Sequence, residues 1–389
     1  MSQNAHLPVT SLNDQALFPN FAKPMEVGHF SLDDRDGIQL DKSQLSSYSP
    51  PDFIDSLNLD LNDGFEQLIE KSSRLPGCLD NLLQWILEEK RRRRNLFEDS
   101  ARSDQKECSL NDLIHGANFV CWRGLLTKLA STPYEDRENW LVGAVRFQGI
   151  VFLMAFETEK EKEKLEKMTE RDKRMTYWGH RFERYVTKPS IEKTEVGVAN
   201  KDIVDCNQQY CVVFRSKLGQ SNSSPSDQYR LIYGAEVDCL DDRGKYIELK
   251  TSRVIDGWRQ ERNFKRFKLL KWWLQSFLAG IDRIVCGYRD DAGMIKYLTP
   301  YDVDEMPRTA AGGVGDRPSW SAAICLSFLL DLLTFFDKNT KPSDRADCNG
   351  EMTAFEYFPQ ARQIRIVSNH GLTSDQVLPD WFVASFGKV

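Results

Sequence analysis

Four ionisable side chains with alternating spacing occur within one short stretch of this 389-residue sequence. Glu236 and Asp238 are two residues apart, as are Glu248 and Lys250, and residues 241–244 between the pairs are typical of a turn. Because side chains alternate along a strand, each pair would point to one face of a hairpin. Three carboxylates beside one ammonium repel each other unless a cation lies among them. A charged surface hairpin without a function explains the spacing of these four residues equally well.

The chemistry that such a cluster could perform is metal-assisted hydrolysis of a phosphodiester. Oxygen ligands suit Mg²⁺ or Mn²⁺. A lysine beside them can position a water molecule or stabilise charge that develops on a phosphate. Two cations about 3.5–4 Å apart can hold the attacking and leaving oxygens of an in-line displacement. The pattern therefore predicts a nuclease-like site with Mg²⁺ or Mn²⁺, and with two ions.

Three further positions favour this interpretation. Glu183 lies one residue past the apolar stripe of a predicted helix. Arg123, between an apolar stretch and a helix start, could bind a phosphate through two parallel hydrogen bonds. Gln275 continues a predicted polar stripe with Lys268 and Lys271, and its amide could bridge a water molecule and a phosphate. Each position also has a structural explanation: a salt-bridged glutamate, a structural arginine and a solvated lysine face.

The elements that would position these residues follow from hydrophobic periodicity. We predict one large mixed α/β domain over residues 26–389, after a weakly ordered tail at residues 1–25. Residues 159–174 are strongly charged and predict a solvated helix or a loop. Helices are predicted at 79–95, near 124–134, at 175–186, at 263–280 with an apolar face of Phe264, Phe267, Leu270, Leu274 and Phe277, and at 321–336; strands are predicted within 144–160, at 209–218 and at three later segments, RIVCGYR, MIKYLTP and RQIRIVS.

Composition excludes several classes of protein. Hydrophobic residues make up 41% and charged residues 28% of the chain, and no apolar run approaches the ~20 residues that cross a bilayer. The nine cysteines are scattered without a CxxC pair, which favours reduced thiols in the cytosol or nucleus. A net charge of −6 argues against a general polyanion binder but permits a local basic groove. The run KRRRR at 90–94 is either a nuclear localisation signal or the cationic end of a helix.

Taken together, the motifs resemble those of the DXO/Rai family of decapping and exoribonuclease enzymes. The resemblance extends from about Gly28 to Trp381 and is closer to the animal members. His180 departs from the pattern, because the second motif usually has an apolar or aromatic residue there. The matching residues are Arg123 in CWRG, Glu183 in GHRFE, Glu236 with Asp238, Glu248 with Lys250, and Gln275 in WWLQSF.

This resemblance implies two packed, mixed or antiparallel sheets with helices outside and a cleft that is open at one end for RNA. It implies that Glu183, Asp238 and Glu248 coordinate the cations. Glu236 would reach one cation through water, and Leu249 would offer its backbone carbonyl. The remaining implied roles belong to Lys250 and Gln275, which would orient the water and the scissile phosphate, and to Arg123, which would contact RNA phosphates.

The implied activity is hydrolysis at the 5′ end of RNA. Members of the family remove incomplete or unmethylated guanosine caps and NAD-type caps, and they degrade 5′-monophosphate RNA in the 5′→3′ direction. We expect a monomer that acts in the nucleus and also in the cytoplasm, with a larger nuclear exoribonuclease as a candidate partner. Two alternatives stay open: a DNA nuclease with the same metal site, and a catalytically silent RNA-binding or scaffold relative. The intact acidic set argues against a purely structural role, because burying it without a cation would be costly.

Overall fold

The structure of the chain is a computed structural model. It describes residues 5–9, 17–33, 37–51, 59–71, 77–98, 108–190, 203–222, 224, 227–310, 319–341, 351–369 and 371–387.

The described residues form strands and helices in alternating groups. The strands are β1 His6–Pro8, β2 Asn20–Phe21, β3 Met25–Leu32, β4 Ser46–Tyr48, β5 Phe119–Trp122, β6 Trp140–Phe147, β7 Ile150–Phe156, β8 Thr187–Pro189, β9 Gln209–Gly219, β10 Tyr229–Glu236, β11 Cys239–Leu240, β12 Tyr246–Arg253, β13 Arg283–Arg289, β14 Ile295–Asp302, β15 Thr353–Phe358 and β16 Gln363–Val367. The α-helices are α1 Asp80–Glu98, α2 Leu110–Leu113, α3 Arg123–Ala130, α4 Glu159–Glu166, α5 Glu170–Val186, α6 Trp258–Asn263, α7 Leu270–Phe277, α8 Met306–Thr309, α9 Ala322–Asn339, α10 Ser374–Val377 and α11 Asp380–Ala384. Short 3₁₀ helices cover Phe65–Gln67 and Thr132–Tyr134, and a π-helix covers Phe264–Leu269 between α6 and α7.

The strands form two mixed sheets. The larger sheet has ten strands in the order β1-β16-β15-β6-β7-β5-β10-β9-β2, with β3 also paired to β9. The smaller sheet has six strands in the order β14-β13-β12-β11-β4-β8. Both contain parallel and antiparallel pairs, since β10 is parallel to β5 and antiparallel to β9, while β12 is parallel to β13. The prediction of a mixed α/β fold with two sheets is confirmed.

Three apolar clusters hold the helices against these sheets. The largest cluster covers one face of the ten-stranded sheet, joins it to α3, α7 and α9, and reaches β13 of the smaller sheet through Ile284 and Cys286. A second cluster packs α1 and α11 against the opposite face of the ten-stranded sheet. A third packs α5 against the other face of the six-stranded sheet, where Leu249 of β12 contributes. The largest of the three clusters is thus shared by the two sheets.

Most predicted elements are present, but two differ from the prediction. A hairpin turn explains the first difference, and a π-helix explains the second. The single strand predicted within 144–160 is a hairpin of β6 and β7, which Gln148 (φ +48°) and Gly149 (φ +82°) reverse. The helix predicted at 263–280 contains the π-helix, whose wider turn shifts the following positions around the axis. Phe267, placed by us on the apolar face, is consequently 38% exposed, whereas Phe264 and Leu270 are buried.

Parts of the predicted N-terminal tail are paired in the ten-stranded sheet. His6–Pro8 pairs with β16, Asn20–Phe21 pairs with β9, and β3 begins at Met25. This pairing differs from our expectation because backbone hydrogen bonds, which composition does not reveal, recruit short segments to a sheet edge. Residues 1–4 and 10–16 lie outside the described residues, and the division into a tail and one domain stays a prediction.

Candidate active site

The acidic residues lie where the chain passes from one sheet to the other. β10 of the large sheet ends at Glu236, and β11 of the small sheet begins at Cys239, so Asp238 lies in the connection. We predicted one continuous strand for Glu236 and Asp238; the crossing replaces it. The predicted turn is confirmed: the Asp241 N–H donates to the Lys245 carbonyl over 2.8 Å, between β11 and β12.

Glu248 is the centre of the hydrogen-bond network. Its side chain is 1% exposed. The Lys250 Nζ and the Gln275 Nε2 both donate to its Oε1, each over 2.6 Å. Its Oε2 is buried without a hydrogen-bond partner and lies 3.8 Å from the Arg123 NH1. Strand β12 and helix α7 are therefore joined at one carboxylate that retains an unused oxygen.

Asp238 lies next to this carboxylate. The Leu249 N–H donates to the Asp238 Oδ2 over 2.6 Å. Burial, followed by the charges of Glu248 and Glu183, raises the pKa of Asp238 well above its ordinary value. Burial by itself would lower the pKa of Lys250, but Glu248 and Asp238 outweigh that effect and raise it. The lysine therefore stays cationic while the carboxylates disfavour one another's ionisation.

Glu183 and Glu236 form the more open side of the site. Glu183 comes from α5 with a side chain that is 35% exposed, and Glu236 is exposed at the end of β10. Desolvation by the surrounding protein, followed by the charge of the Glu183 carboxylate, raises the pKa of Glu236 above its ordinary value. The Gln209 Nε2 donates to the Glu236 Oε2 over 2.9 Å, and the Lys71 Nζ donates to the Gln209 Oε1 over 3.0 Å.

Gln209 and Lys71 are site residues that our sequence reasoning missed. A pairing prediction could have found Gln209, because β9 and β10 are antiparallel with Cys211 opposite Glu236, which places Gln209 just beyond. The position of Lys71 carried no signal, since it is distant in sequence and lies in an irregular segment.

Arg123 occupies a buried position beneath the site. Its NH1 donates to the Gln275 carbonyl over 2.8 Å, and its NH2 donates to the Glu236 carbonyl over 3.3 Å. Its side chain is 7% exposed. In this arrangement the guanidinium ties the end of β10 to α7. The contact with RNA phosphates that the resemblance implied stays a prediction.

His180 lies beside the exposed edge of the site. Its Nδ1 is 3.8 Å from the Glu183 Oε2. The interaction of His180 with Cys206, followed by its interaction with the Glu183 carboxylate, raises the pKa of His180 to about 10. The imidazole accordingly acts as a cationic neighbour of Glu183.

The predicted polar stripe on the later helix divides in two. The Lys268 Nζ donates to the Ser252 Oγ of β12 over 3.2 Å, so Lys268 and Gln275 both face this strand. Lys271 is 60% exposed, and its Nζ is 4.0 Å from the Glu135 Oε2. Lys268 lies in the π-helix, whose wider turn changes the angular spacing between Lys268 and the residues of α7. Lys271 consequently belongs to a different face.

The residue types of the site fit a divalent cation. Within the described ranges, no group of three or more His, Cys, Asp or Glu side chains is already arranged around a single metal position. The Lys250 and Gln275 donors occupy one oxygen of Glu248, and the Leu249 N–H occupies one oxygen of Asp238. The fit rests on the unpartnered buried Oε2 of Glu248 and on the raised pKa of Asp238, because a cation would satisfy the first and relieve the repulsion behind the second.

The mixed two-sheet fold, with an acidic residue at the sheet crossing and a Glu–x–Lys strand beside it, defines a nuclease of the PD-(D/E)XK class. A family model described as RAI1-like PD-(D/E)XK nuclease matches residues 22–383, and the chain belongs to that family. The resemblance drawn from the motifs is thereby confirmed.

Relatives and solved structures agree with this assignment. The decapping and exoribonuclease protein of Bos taurus is 32% identical over 379 residues, which are 94% of this chain and 86% of that protein. The structure of Candida albicans Rai1 in complex with pU5-Mn²⁺ matches with a TM-score of 0.74 and 22% identity, over 98% of each chain. Scheffersomyces stipitis Rai1 in complex with (3′-NADP)⁺ and calcium ion matches with a TM-score of 0.71 and 21% identity, over 97% of this chain and 99% of that one.

Proposed function

We propose that this chain is a divalent-metal-dependent hydrolase of RNA 5′ ends. It removes incomplete or unmethylated guanosine caps and NAD-type caps, and it degrades 5′-monophosphate RNA in the 5′→3′ direction. The observation that carries the proposal is the network around Glu248, where an ammonium and an amide converge on one buried carboxylate and the other oxygen of that carboxylate has no hydrogen-bond partner.

The residues of the chain have separable tasks in this reaction. Glu183, Asp238 and Glu248 would hold Mg²⁺ or Mn²⁺, with Glu236 acting through water and Leu249 through its carbonyl. Bound cations supply charge stabilisation for the attacking and leaving oxygens. Lys250 and Gln275 donate hydrogen bonds from one side of the site and would orient the attacking water and the scissile phosphate.

The related proteins support the substrate class. The Bos taurus relative carries both decapping and exoribonuclease in its name. The two yeast proteins of the same fold are described with a uridine oligonucleotide and Mn²⁺, and with a dinucleotide and Ca²⁺. An RNA chain and an NAD-type end are therefore the ligands to test first.

The test is a panel of RNAs that differ only at the 5′ end. Purified protein with Mg²⁺ or Mn²⁺ is incubated with 3′-labelled RNAs that carry a monophosphate, a triphosphate, an unmethylated guanosine cap, an NAD cap or a hydroxyl. We expect a descending ladder from the monophosphate RNA, loss of the caps as intact dinucleotide-type products, and no activity in Glu248→Gln. Glu163→Gln, a change at an exposed glutamate of α4, is the matched control and should retain full activity.

Three outcomes would contradict the proposal. Rapid cleavage of a circular RNA of the same sequence would show that a 5′ end is not required. Release of nicotinamide mononucleotide from the NAD-capped RNA would place the attack within the cap pyrophosphate rather than at the phosphodiester. Equal cleavage of single-stranded DNA would favour the DNA nuclease instead.

We also propose a nuclear location, with some protein in the cytoplasm, a monomeric state, and association with a larger nuclear exoribonuclease. The basic run supports the nuclear location because Arg91, Arg92 and Arg94 are exposed on α1. Arg91 also pairs with Glu88, and Arg92 pairs with Glu89. Among the described helices, none combines the length and apolar character needed to span a bilayer. A fluorescent fusion in which Arg91, Arg92 and Arg94 are replaced by glutamine should lose nuclear accumulation.

A further inference from the structure

Strand β12 and the helical segment that ends in α7 are joined by side-chain contacts at and beyond the catalytic residues. Glu248, Lys250 and Ser252 alternate on β12 and therefore face the same side. From the helical segment, the Gln275 side chain donates to Glu248, and the Lys268 side chain donates to Ser252. The Lys268–Ser252 contact is thus a second link between the same two elements, about 6.6 Å beyond Lys250 along the strand.

Lys268 is exposed and places a cation beside Ser252. Its contact with Ser252 is a hydrogen bond to a neutral hydroxyl, and no ion pair with a carboxylate is found for it among the described residues. Lys265, three residues earlier, differs because its Nζ lies 2.8 Å from the Glu261 carboxylate. Desolvation by the surrounding protein, supported by the charge of Arg289, lowers the pKa of Lys268. An uncompensated ammonium with spare donors suits a phosphate.

An exposed aromatic ring lies in the same row of the sheet. Ser252 of β12 is opposite Tyr288 of β13, which is opposite Tyr297 of β14. The two tyrosine rings stack with centroids 4.9 Å apart, and Tyr297 is 40% exposed. Strand spacing places Tyr297 about 10 Å from Ser252 across the sheet. One face of the Tyr297 ring rests on Tyr288, and the exposed part of the ring offers an aromatic surface to a nucleobase.

We propose that Lys268 and Tyr297 form a subsite for the nucleotide adjacent to the scissile phosphodiester, in which Lys268 binds the neighbouring phosphate and Tyr297 stacks on the base. This proposal rests on the RNA hydrolase function proposed above. It names residues that grip the substrate outside the cluster of carboxylates.

The phosphate arm of the test combines a protein change with a substrate change. Lys268→Gln should raise KM for single-stranded RNA about tenfold, as expected for loss of a charge-assisted hydrogen bond, with kcat nearly unchanged. A neutral methylphosphonate is placed at the linkage on either side of the cleaved bond, in separate RNAs. One of these two substitutions should raise the KM of the wild-type protein about tenfold and leave the KM of Lys268→Gln unchanged. Lys268→Arg should restore most of the sensitivity to this methylphosphonate. Lys271→Gln, a change at the exposed lysine of α7, should behave as the wild type.

The base arm uses an abasic nucleotide in the same way. Tyr297→Leu should weaken binding of intact RNA about tenfold, as for loss of one base–aromatic stack, whereas Tyr297→Phe should retain it. An abasic site at the adjacent nucleotide should remove the difference between Tyr297→Leu and the wild type.

The outcomes separate this subsite from the proposed function. If the wild-type protein cleaves no RNA, the proposed function fails. A second outcome is that the wild-type protein cleaves RNA while each methylphosphonate raises KM by the same factor in the wild type and in Lys268→Gln. In that case Lys268 does not bind a phosphate, and the subsite is refuted. If the abasic site weakens binding by the same factor in the wild type and in Tyr297→Leu, so that the difference between the two proteins persists, the stacking contact is likewise refuted.

Discussion

Replacing Arg123 by alanine distinguishes a residue that positions the site from one that contacts RNA. The guanidinium is buried, and both of its hydrogen bonds go to backbone carbonyls, those of Gln275 and Glu236. Removing it leaves two carbonyls without these donors and removes the nearby charge from the unpartnered Oε2 of Glu248. Arg123→Ala should therefore damage the fold locally and misplace the site at the same time.

The size of the effect follows from these contacts. The 2.8 Å bond to Gln275 is well formed, and an orphaned buried acceptor costs roughly 1–3 kcal/mol. The 3.3 Å bond to Glu236 is longer and should contribute about 1 kcal/mol. We expect Arg123→Ala to lower the free energy of unfolding by about 3 kcal/mol. Arg123→Lys retains the charge but not the two-pronged geometry, and it should lose about half as much.

The assay is urea denaturation together with RNA binding across a range of salt concentrations. A positioning role predicts a lower midpoint of denaturation, a reduced single-turnover rate, and an unchanged slope of log K against log salt. A phosphate contact predicts unchanged stability and a slope smaller by about one unit. The second pattern would refute our reading of the buried guanidinium and support the role implied by the resemblance.

Three further predictions concern the charged cluster. Lys250→Ala should reduce the single-turnover rate at saturating RNA by at least about 100-fold with little change in affinity for RNA. The reason is that the ammonium assists the chemical step more than it contributes to RNA binding. A loss of affinity with an unchanged rate would contradict this prediction. Excess EDTA should abolish hydrolysis and added Mn²⁺ should restore it, whereas full turnover in EDTA would remove the metal from the mechanism. In EDTA, the free energy of unfolding should fall as pH rises, because the raised pKa of Asp238 makes the folded state retain a proton that the unfolded chain loses near its ordinary value of 3.8. This stabilisation is present below pH 3.8 and is lost as pH rises through the folded-state pKa of Asp238. Asp238→Asn should therefore flatten the dependence of the free energy of unfolding on pH. An Asp238→Asn profile identical to that of the wild type would contradict this prediction.

Local hydrophobic periodicity predicted most of the individual helices and strands. The alternation of residues 246–253 placed Glu248 and Lys250 on one face of a strand, and the helical spacing around Trp178 and Phe182 predicted α5. Both predictions succeed because the buried face of a single helix or strand is determined by the spacing of apolar side chains in consecutive residues. The hairpin of β6 and β7 was missed because its turn uses Gln148 with a positive φ, a residue that rarely takes that conformation.

The arrangement of the site required more than local pattern. The π-helix before α7 gave no recognisable signal, and it exposed Phe267 while Lys268 faces β12. Gln209 reaches Glu236 because β9 pairs with β10, and Lys71 reaches Gln209 from an irregular segment. Such contacts join distant segments, and periodicity within one segment carries no information about its partner.

The sequence by itself determined which residue types could do the chemistry and which elements carry them. Motif resemblance added the family, and the match of residues 22–383 confirmed it. Only the tertiary structure decided that the acidic pair straddles the passage between two sheets and that Arg123 is buried between the ends of β10 and α7. The physical reason is that the charge, burial and hydrogen bonding of a side chain depend on the neighbours that folding brings to it, and the neighbours of Glu248 come from two segments far apart in the chain besides its own strand.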